Sequence, residues 1–382
     1  MSVTRVLVIG AGIGGLATGL ALRRANVEAA IFERADDLRD LQVGHGLTLW
    51  PNSTRLLAAV GALEPVECVG AVIERMEFRD LRGRPIVDHP AGDVARDIGA
   101  PTLGLRRSEL HRALFDVIGA DAVAFGAECV AIDEDGDSVT ARFADGRAES
   151  GDVLVAADGA RSAIRALLIG DAPTPTGNVE MHGTVPTPPD VPGGVYRQVW
   201  GPGAKFGFYP VRAATCWYCT VKASDPRFVD EAGRKDAIRA RVDTYPPPTL
   251  SLVEAESEHA ITRAVITTHD LSKPWVHGRV ALLGDAAHAM APHLGQGAGQ
   301  AIEDAFVLAD CLGATGDHEA ALRAYEERRK RHVGGIAKQA RILGKALVLE
   351  NPLAHALWRN AVKLTWPRIG SREYVKIHRF EP

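Results

Sequence analysis

Three acidic residues in this chain stand just past short apolar runs. Glu33 follows Glu28–Phe32, Asp158 follows Val153–Ala157 and Asp285 follows Val280–Leu283. An acid where a buried strand stops can accept hydrogen bonds from the hydroxyls of a ligand. In a doubly wound sheet such strand ends gather along one edge, where ligands bind. The first is preceded by Gly10-Ala11-Gly12-Ile13-Gly14-Gly15, which falls between an apolar run from Val3 to Ile9 and a helical pattern ending near Ala25. Gly10 suits the tight turn, Gly12 the approach of a pyrophosphate, and Gly15 close packing of helix on strand. Glu33, about 20 residues into the unit, is where an acid meets the adenosine ribose. The motif implies a dinucleotide and leaves NAD and FAD open, as does the neighbouring Arg34.

Around Asp285 the chain is punctuated by Pro292, Gly295, Gly297 and Gly299 before a helical pattern begins near Gln296. Backbone NH groups bunched at a helix start, with the macrodipole behind them, suit a ligand that is or becomes anionic. Elsewhere, His45 lies between two glycines and either touches a ligand or faces solvent, and Arg106 or Arg107 at a helix start could reach a phosphate or a flavin. Lys205–Val211 and Thr215–Val221 read as a hairpin. With Ala213-Ala214 as the loop, Tyr209 lies opposite Tyr218 and shares a face with Lys205; a register one residue away puts Trp217 there.

Two patterns point away from metal chemistry. Cys216 and Cys219 on a strand point to opposite faces, so they read as buried cysteines rather than a redox or zinc pair. Asp285, His288 and His293 fit no standard ligand spacing.

These residues need a scaffold, and 382 residues suffice for two or three domains. A net charge of -4 gives no sign of nucleic acid or an anionic membrane as partner. Five cysteines, an odd number, fit a reducing cytoplasm rather than a disulfide framework. The apolar stretch Val6–Leu22 is expected to be a nucleotide-binding unit rather than a signal peptide, and no other run approaches a membrane span. Buried strands alternate with helices at both ends. A three-stranded meander is expected from Glu128 to Asp158, with turns at Asp135-Gly136 and Asp145-Gly146 and Val153–Ala157 as its last strand. From about Asp171 to Lys273, prolines, aromatics and alternating strands suggest an inserted antiparallel sheet, and the alternating region Val72–Pro90 is expected to leave the first domain as well. The run Glu326–Arg331 reads as a solvated helix face with i,i+4 pairs, and Ala354–Leu364 as an amphipathic helix. The expected fold is α/β: a Rossmann-like domain with an inserted sheet domain and C-terminal helices.

The glycine motif with Glu33, Asp158-Gly159 and Gly284-Asp285, in that order, resembles the class A FAD-dependent aromatic hydroxylases, the p-hydroxybenzoate hydroxylase-like family. GHGLTLWPN, LRRSELHRAL and APHLGQGAGQAIEDA extend the likeness over most of the chain. The resemblance implies a glutathione-reductase-like FAD-binding domain from 1–72, 101–172 and 274–335, a substrate domain from 73–100 and 173–273, and a helical segment 336–382. It implies FAD contacts at Gly10, Gly12, Gly14, Gly15, Glu33, Arg34, Arg107, Val130, Asp158, Asp285, Pro292, Gly295, Gly297 and Ala298. NADH or NADPH would reduce the FAD, O2 would form a C4a-hydroperoxide, and an aromatic or heteroaromatic ring would be hydroxylated. The likeness is closer to the urate-, salicylate- and hydroxynicotinate-hydroxylase-like branch. There an arginine and a tyrosine contact substrate; by position these suggest Lys205 and Tyr218, with Tyr209 and His45 as further candidates. Lysine lacks the bidentate fork of arginine, which puts urate itself in doubt. His45 also departs from the small residue usual in its turn. A monomer or homodimer is expected, without nucleic acid or membrane. A related FAD epoxidase or reductase, or a flavin-binding protein without hydroxylase activity, is the alternative.

Overall fold

A computed structural model of the chain describes residues 4–41 and 44–379. The expectations for Val3 and for 380–382 lie outside them.

A six-stranded sheet runs in the order Val276–His277, Val280–Leu282, Val153–Ala156, Arg5–Ile9, Glu28–Phe32 and Val123–Ala124. All pairs but the first are parallel. Side-chain alternation divides the central strands between two cores, as strands buried on both faces require. Val6, Val8, Val153 and Val155 pack with the helices Ile13–Arg24 and Gly297–Ala314. Leu7, Ile9, Leu154, Ala156 and Leu282 pack under the meander, with Val139 and Phe143. The meander is Cys129–Glu134, Val139–Phe143 and Ala148–Gly151, and it ends there: Val153–Ala156, expected as its last strand, joins the parallel sheet instead. Because four neighbouring strands run the same way, Asp285, Asp158, the Gly10 turn and Glu33 stand in sequence along one sheet edge.

A seven-stranded sheet follows the order Thr262–Thr268, Thr174–Val185, Ala214–Lys222, Ala204–Val211, Val195–Gly201, Arg75–Arg79 and Pro85–His89. It is antiparallel except where Val195–Gly201 runs parallel to Arg75–Arg79. The expected aromatics split between its faces. Phe206, Phe208 and Trp217 pack with Ile238, Val242 and Leu252 on the far side. Tyr196, Trp200, Tyr209 and Tyr218 lie on the near side, toward Trp50 and Tyr374.

The helix Gly297–Ala314 is followed by His318–Leu347, then Pro352–Thr365 and Ser371–His378. The last was not legible in the sequence. The charged run in the long helix makes the expected pairs Lys330–Glu326 at 2.8 Å and Arg331–Glu327 at 3.5 Å. Arg329 corrects the solvated reading: it is fully buried and bonds Asp304 at 2.6 Å and Glu303 at 2.7 Å. Asp304 in turn bonds His288 at 2.5 Å and the Gly284 amide at 2.9 Å. This network ties the Gly284 turn to the two helices behind it.

Candidate active site

At the sheet edge the backbone itself shapes the site. Gly10 has φ +103°, and a Cβ there would sit 2.6 Å from the Ala157 carbonyl oxygen. A Cβ on Gly15 would fall 1.8 Å from the Gly10 carbonyl oxygen, so only glycine lets this helix lie against its strand. Around Gly12, by contrast, a Cβ would meet nothing within 4 Å; that side is open to a ligand. Gly14 packs toward Leu283, 3.1 Å from where its Cβ would be.

Glu33 is buried, and its carboxylate accepts the Ala11 amide at 2.8 Å and the Ala35 amide at 2.9 Å. Asp158 accepts the Ile164 amide at 3.3 Å through one oxygen, while the other is buried without a partner among the described residues. Burial raises the Asp158 carboxyl above its ordinary pKa. Asp285 and Arg107 are exposed and line the same cavity as Gly12, Gly14, Pro292, Gly295, Gly297 and Ala298. Six expected contacts do not line it: Gly10, Gly15, Glu33 and Asp158 stand behind the lining at the sheet edge, Arg34 is exposed, and Val130 is 48% exposed on the meander. Open glycines, a carboxylate oxygen, an acid and an arginine that have no side-chain partner among the described residues, and an 18-residue helix starting at Gly297 form a cradle that fits a flavin dinucleotide.

The cavity, about 310 Å³, extends from these glycines to Glu180, His182, Tyr196, Lys205, Tyr209 and Tyr218 on the near face of the large sheet. Lys205 is 2% exposed. Its Nζ lies 3.7 Å from Glu180 Oε2, 3.4 Å from His293 Nδ1 and 4.6 Å from the centre of the Tyr218 ring. Glu180 also accepts a hydrogen bond from Thr220 and bonds His182 Nε2 at 3.1 Å. Burial alone would raise the Glu180 carboxyl, but the Lys205 ammonium and His182 hold it well below the ordinary carboxylate range. Burial and the same ammonium lower His293 to about 3, so it is neutral. Tyr218 Oη bonds Tyr196 Oη at 2.7 Å, and Gln198 Nε2 donates to Tyr196 Oη at 2.6 Å.

The hairpin register differs from both expected pairings. Its loop is Arg212-Ala213, with Val211 opposite Ala214, so Tyr209 faces Cys216 and Tyr218 faces Gly207. Ala213 takes φ +56°, which allows the tight reversal. The slip from the favoured register is two residues, which preserves the face; Lys205, Tyr209 and Tyr218 therefore still meet. Cys216 and Cys219 belong to cores on opposite sides of the sheet, and all five cysteines are free. His45 is neither solvated nor in the cavity wall. It is half-buried, stacks on His182 with centroids 5.6 Å apart and reaches Thr184 at 3.4 Å. Burial, then the charge of His182, lower it to about 4.

Sequence reasoning missed Glu180, His182 and Tyr196, and considered His293 only as a metal ligand. A signal for two of them was present. Asn178, Glu180, His182 and Thr184 alternate with Val179, Met181 and Gly183, the pattern of a strand with one polar face.

Comparison with known proteins fits this geometry. Residues 3–340 match the family model described as FAD binding domain. The chain is 36% identical over 359 residues to aurachin C monooxygenase/isomerase of Stigmatella aurantiaca, covering 92% of this chain and 91% of that protein. It is 34% identical over 348 residues to an FAD-dependent urate hydroxylase of Klebsiella pneumoniae, covering 88% of each. The crystal structure of Klebsiella pneumoniae HpxO with FAD and uric acid superposes with a TM-score of 0.88 at 29% identity, covering 98% of this chain and 96% of that one. The family model alone spans most of the chain, and the glycine cradle gives it a physical basis: this protein belongs to the FAD-binding class A flavin monooxygenases, which hydroxylate aromatic and heteroaromatic compounds.

Proposed function

We propose that the chain is a single-component monooxygenase. It would use NADH or NADPH, FAD and O2 to hydroxylate a small aromatic or heteroaromatic ring held against the near face of the seven-stranded sheet. The observation that carries this reading is the shared cavity: glycines, Asp285 and Arg107 at one end, and Lys205, Glu180 and three tyrosines at the other. When bound, FAD supplies the electron acceptor for NAD(P)H and the centre that activates oxygen.

The chain's own residues have separable tasks in this reading. Gly12 and the helix starting at Gly297 would hold the phosphates and the electron-rich flavin edge through backbone NH groups. Asp285 would accept from the ribityl hydroxyls, and Glu33 from the adenosine ribose. Lys205 anchors an oxyanion or ring oxygen of the substrate, and its ion pair with Glu180 keeps it aimed. His182, bonded to Glu180, takes the proton of a ring hydroxyl. His45 positions His182 by stacking. Tyr209 and Tyr218 hold the ring plane and keep water out. The single ammonium of Lys205 favours a substrate with one anionic group over the planar, multiply hydrogen-bonding urate. The name of the urate-hydroxylating relative supports a ring substrate and leaves its identity open.

The reading includes the division into an FAD-binding part (1–72, 101–172, 274–335), a substrate part (73–100, 173–273) and C-terminal helices from 336. It also includes a reducing cytoplasm as location and a monomer or homodimer as the working unit. Purified protein should be yellow, and a panel of phenols and heteroaromatics should include one that stimulates O2-dependent NAD(P)H oxidation and gains one oxygen by mass. Yellow protein that oxidises NAD(P)H but adds oxygen to no aromatic compound would favour an epoxidase or reductase instead.

A further inference from the structure

The helix Pro352–Thr365 is apolar on two opposite sides. Its inner side carries His355, which is buried, and Trp358, stacked on Trp200 at 4.8 Å. Its outer side carries Leu353, Leu357 and Leu364, which are 76%, 73% and 74% exposed. At 100° per residue these three fall within an arc of about 40°, so they form a stripe rather than scattered surface leucines. Ile369 and Ile342, 60% and 58% exposed, lie on neighbouring segments.

Charge is segregated in the same region. Residues 336–379 contain nine Lys or Arg and two Asp or Glu, a net of +7. The remaining sequence holds 35 bases and 46 acids, a net of -11. The whole-chain value of -4 conceals this division. Of the nine bases, Arg359 reaches Asp80 at 3.7 Å and Arg379 reaches Asp97 at 4.0 Å. The other seven are exposed and have no acidic partner among the described residues.

The same helices border a cavity. A second cavity of about 300 Å³ runs between the large sheet and these helices. Its interior is apolar, with Trp50, Phe78, Trp200 and Leu343, and its mouth carries the exposed Gln339, Thr365 and Ile369. Tyr196 lines it and the flavin-side cavity alike.

We propose that the helices of residues 336–379 are a docking face for an anionic lipid bilayer. Leu353, Leu357 and Leu364 enter the headgroup boundary, the surrounding bases meet lipid phosphates, and the mouth of the apolar cavity is held against the bilayer. Exposed leucines and unpaired bases on the same group of helices match both parts of such a surface: an apolar layer under a negative one. A second copy fits less well. A closed two-fold contact would set one +7 face against another, and a contact between unlike faces would not close. Docking does not depend on the chemistry proposed above, so its failure would leave the monooxygenase reading intact.

The test uses the flavin-loaded full chain and vesicles of either phosphatidylcholine alone or an equal mixture with phosphatidylglycerol. The protein should sediment with the mixed vesicles, not with phosphatidylcholine alone, and release at high salt. The triple variant Leu353→Glu, Leu357→Glu, Leu364→Glu should bind at least ~10-fold more weakly while keeping its flavin. Should that variant fail to fold, Lys363→Glu with Arg372→Glu should weaken binding in the same direction. No sedimentation with the mixed vesicles, equal binding to both vesicle types, or binding unchanged by the variants would overturn the proposal. So would the finding, by light scattering, that the leucine substitutions split a dimer that does not bind vesicles.

Discussion

The two ends of the active-site cavity are built in different ways. At the flavin end, backbone does the work: Gly10 at φ +103° turns the chain, Gly15 lets helix and strand touch, and Gly12 leaves an open approach. At the sheet end, side chains from separate strands converge on one buried ion pair: Glu180, His182, Lys205, Tyr218 and Thr220, with His293 from the short 3-10 turn Pro292–Leu294. The first arrangement tolerates almost no change of backbone volume and reads any dinucleotide of the right shape. The second is held by electrostatics and can be retuned residue by residue. Cofactor binding and substrate choice should therefore be separable by mutation.

The sharpest break is at the glycines. Gly15→Ala drives a methyl into the Gly10 carbonyl and is expected to cost ~3 kcal/mol or more, with little flavin retained. Gly12→Val meets open space, so the apoprotein should melt close to the parent while flavin affinity falls at least ~100-fold, about 2.7 kcal/mol. Thermal melts with the flavin-to-protein absorbance ratio check both. Equal destabilisation by the two variants would erase the distinction between packing and approach.

At the other end, Lys205→Ala leaves Glu180 buried without its counter-charge. Removing one partner of such a pair costs ~3–5 kcal/mol. Flavin should stay bound, while substrate-stimulated NAD(P)H oxidation should fall ~100-fold or more. Unchanged kinetics would remove Lys205 from the site.

What could be read from the sequence follows the same division. The glycine motif, Glu33 and the three strand ends are local patterns whose spacing carries their geometry, so the flavin end was legible. The sheet end depends on which strands pair. The parity of Lys205, Tyr209 and Tyr218 survived a register error of two, because the face repeats every second residue. That Glu180 lies beside Lys205 follows from Thr220 pairing with Lys205 on one side and with Glu180, 40 residues away in sequence, on the other, which no local pattern states. Arg329 sits in a run where every residue is charged, so periodicity could not single out the buried position. Ser371–His378 was obscured by Pro367 and Gly370 just before it.

A smaller effect concerns pH. His45 titrates near 4 when folded against an ordinary 6.5. A depressed folded value means the neutral ring is favoured, so its contribution is present above pH 6.5 and is lost as pH falls toward 4. His45→Gln should flatten this loss by ~1–3 kcal/mol, seen as urea midpoints that converge with the parent between these values. Midpoints that fall in parallel would mean that His45 does not titrate on unfolding. The smallest change expected is Tyr218→Phe. It keeps the ring under Lys205 but loses the bond to Tyr196, worth ~1 kcal/mol, or roughly fivefold in kcat/KM. A loss comparable to that of Lys205→Ala would assign the hydroxyl a larger part.

That both ends serve one reaction is tested most directly with isotopically labelled O2. Parent and Lys205→Ala protein, each loaded with FAD and supplied with NAD(P)H, are given an aromatic compound that stimulates the parent. The parent should place one labelled oxygen on the ring, and the variant should keep its flavin but yield little labelled product. Flavin-loaded parent protein that incorporates no label from any stimulating aromatic compound would contradict the shared-site reading.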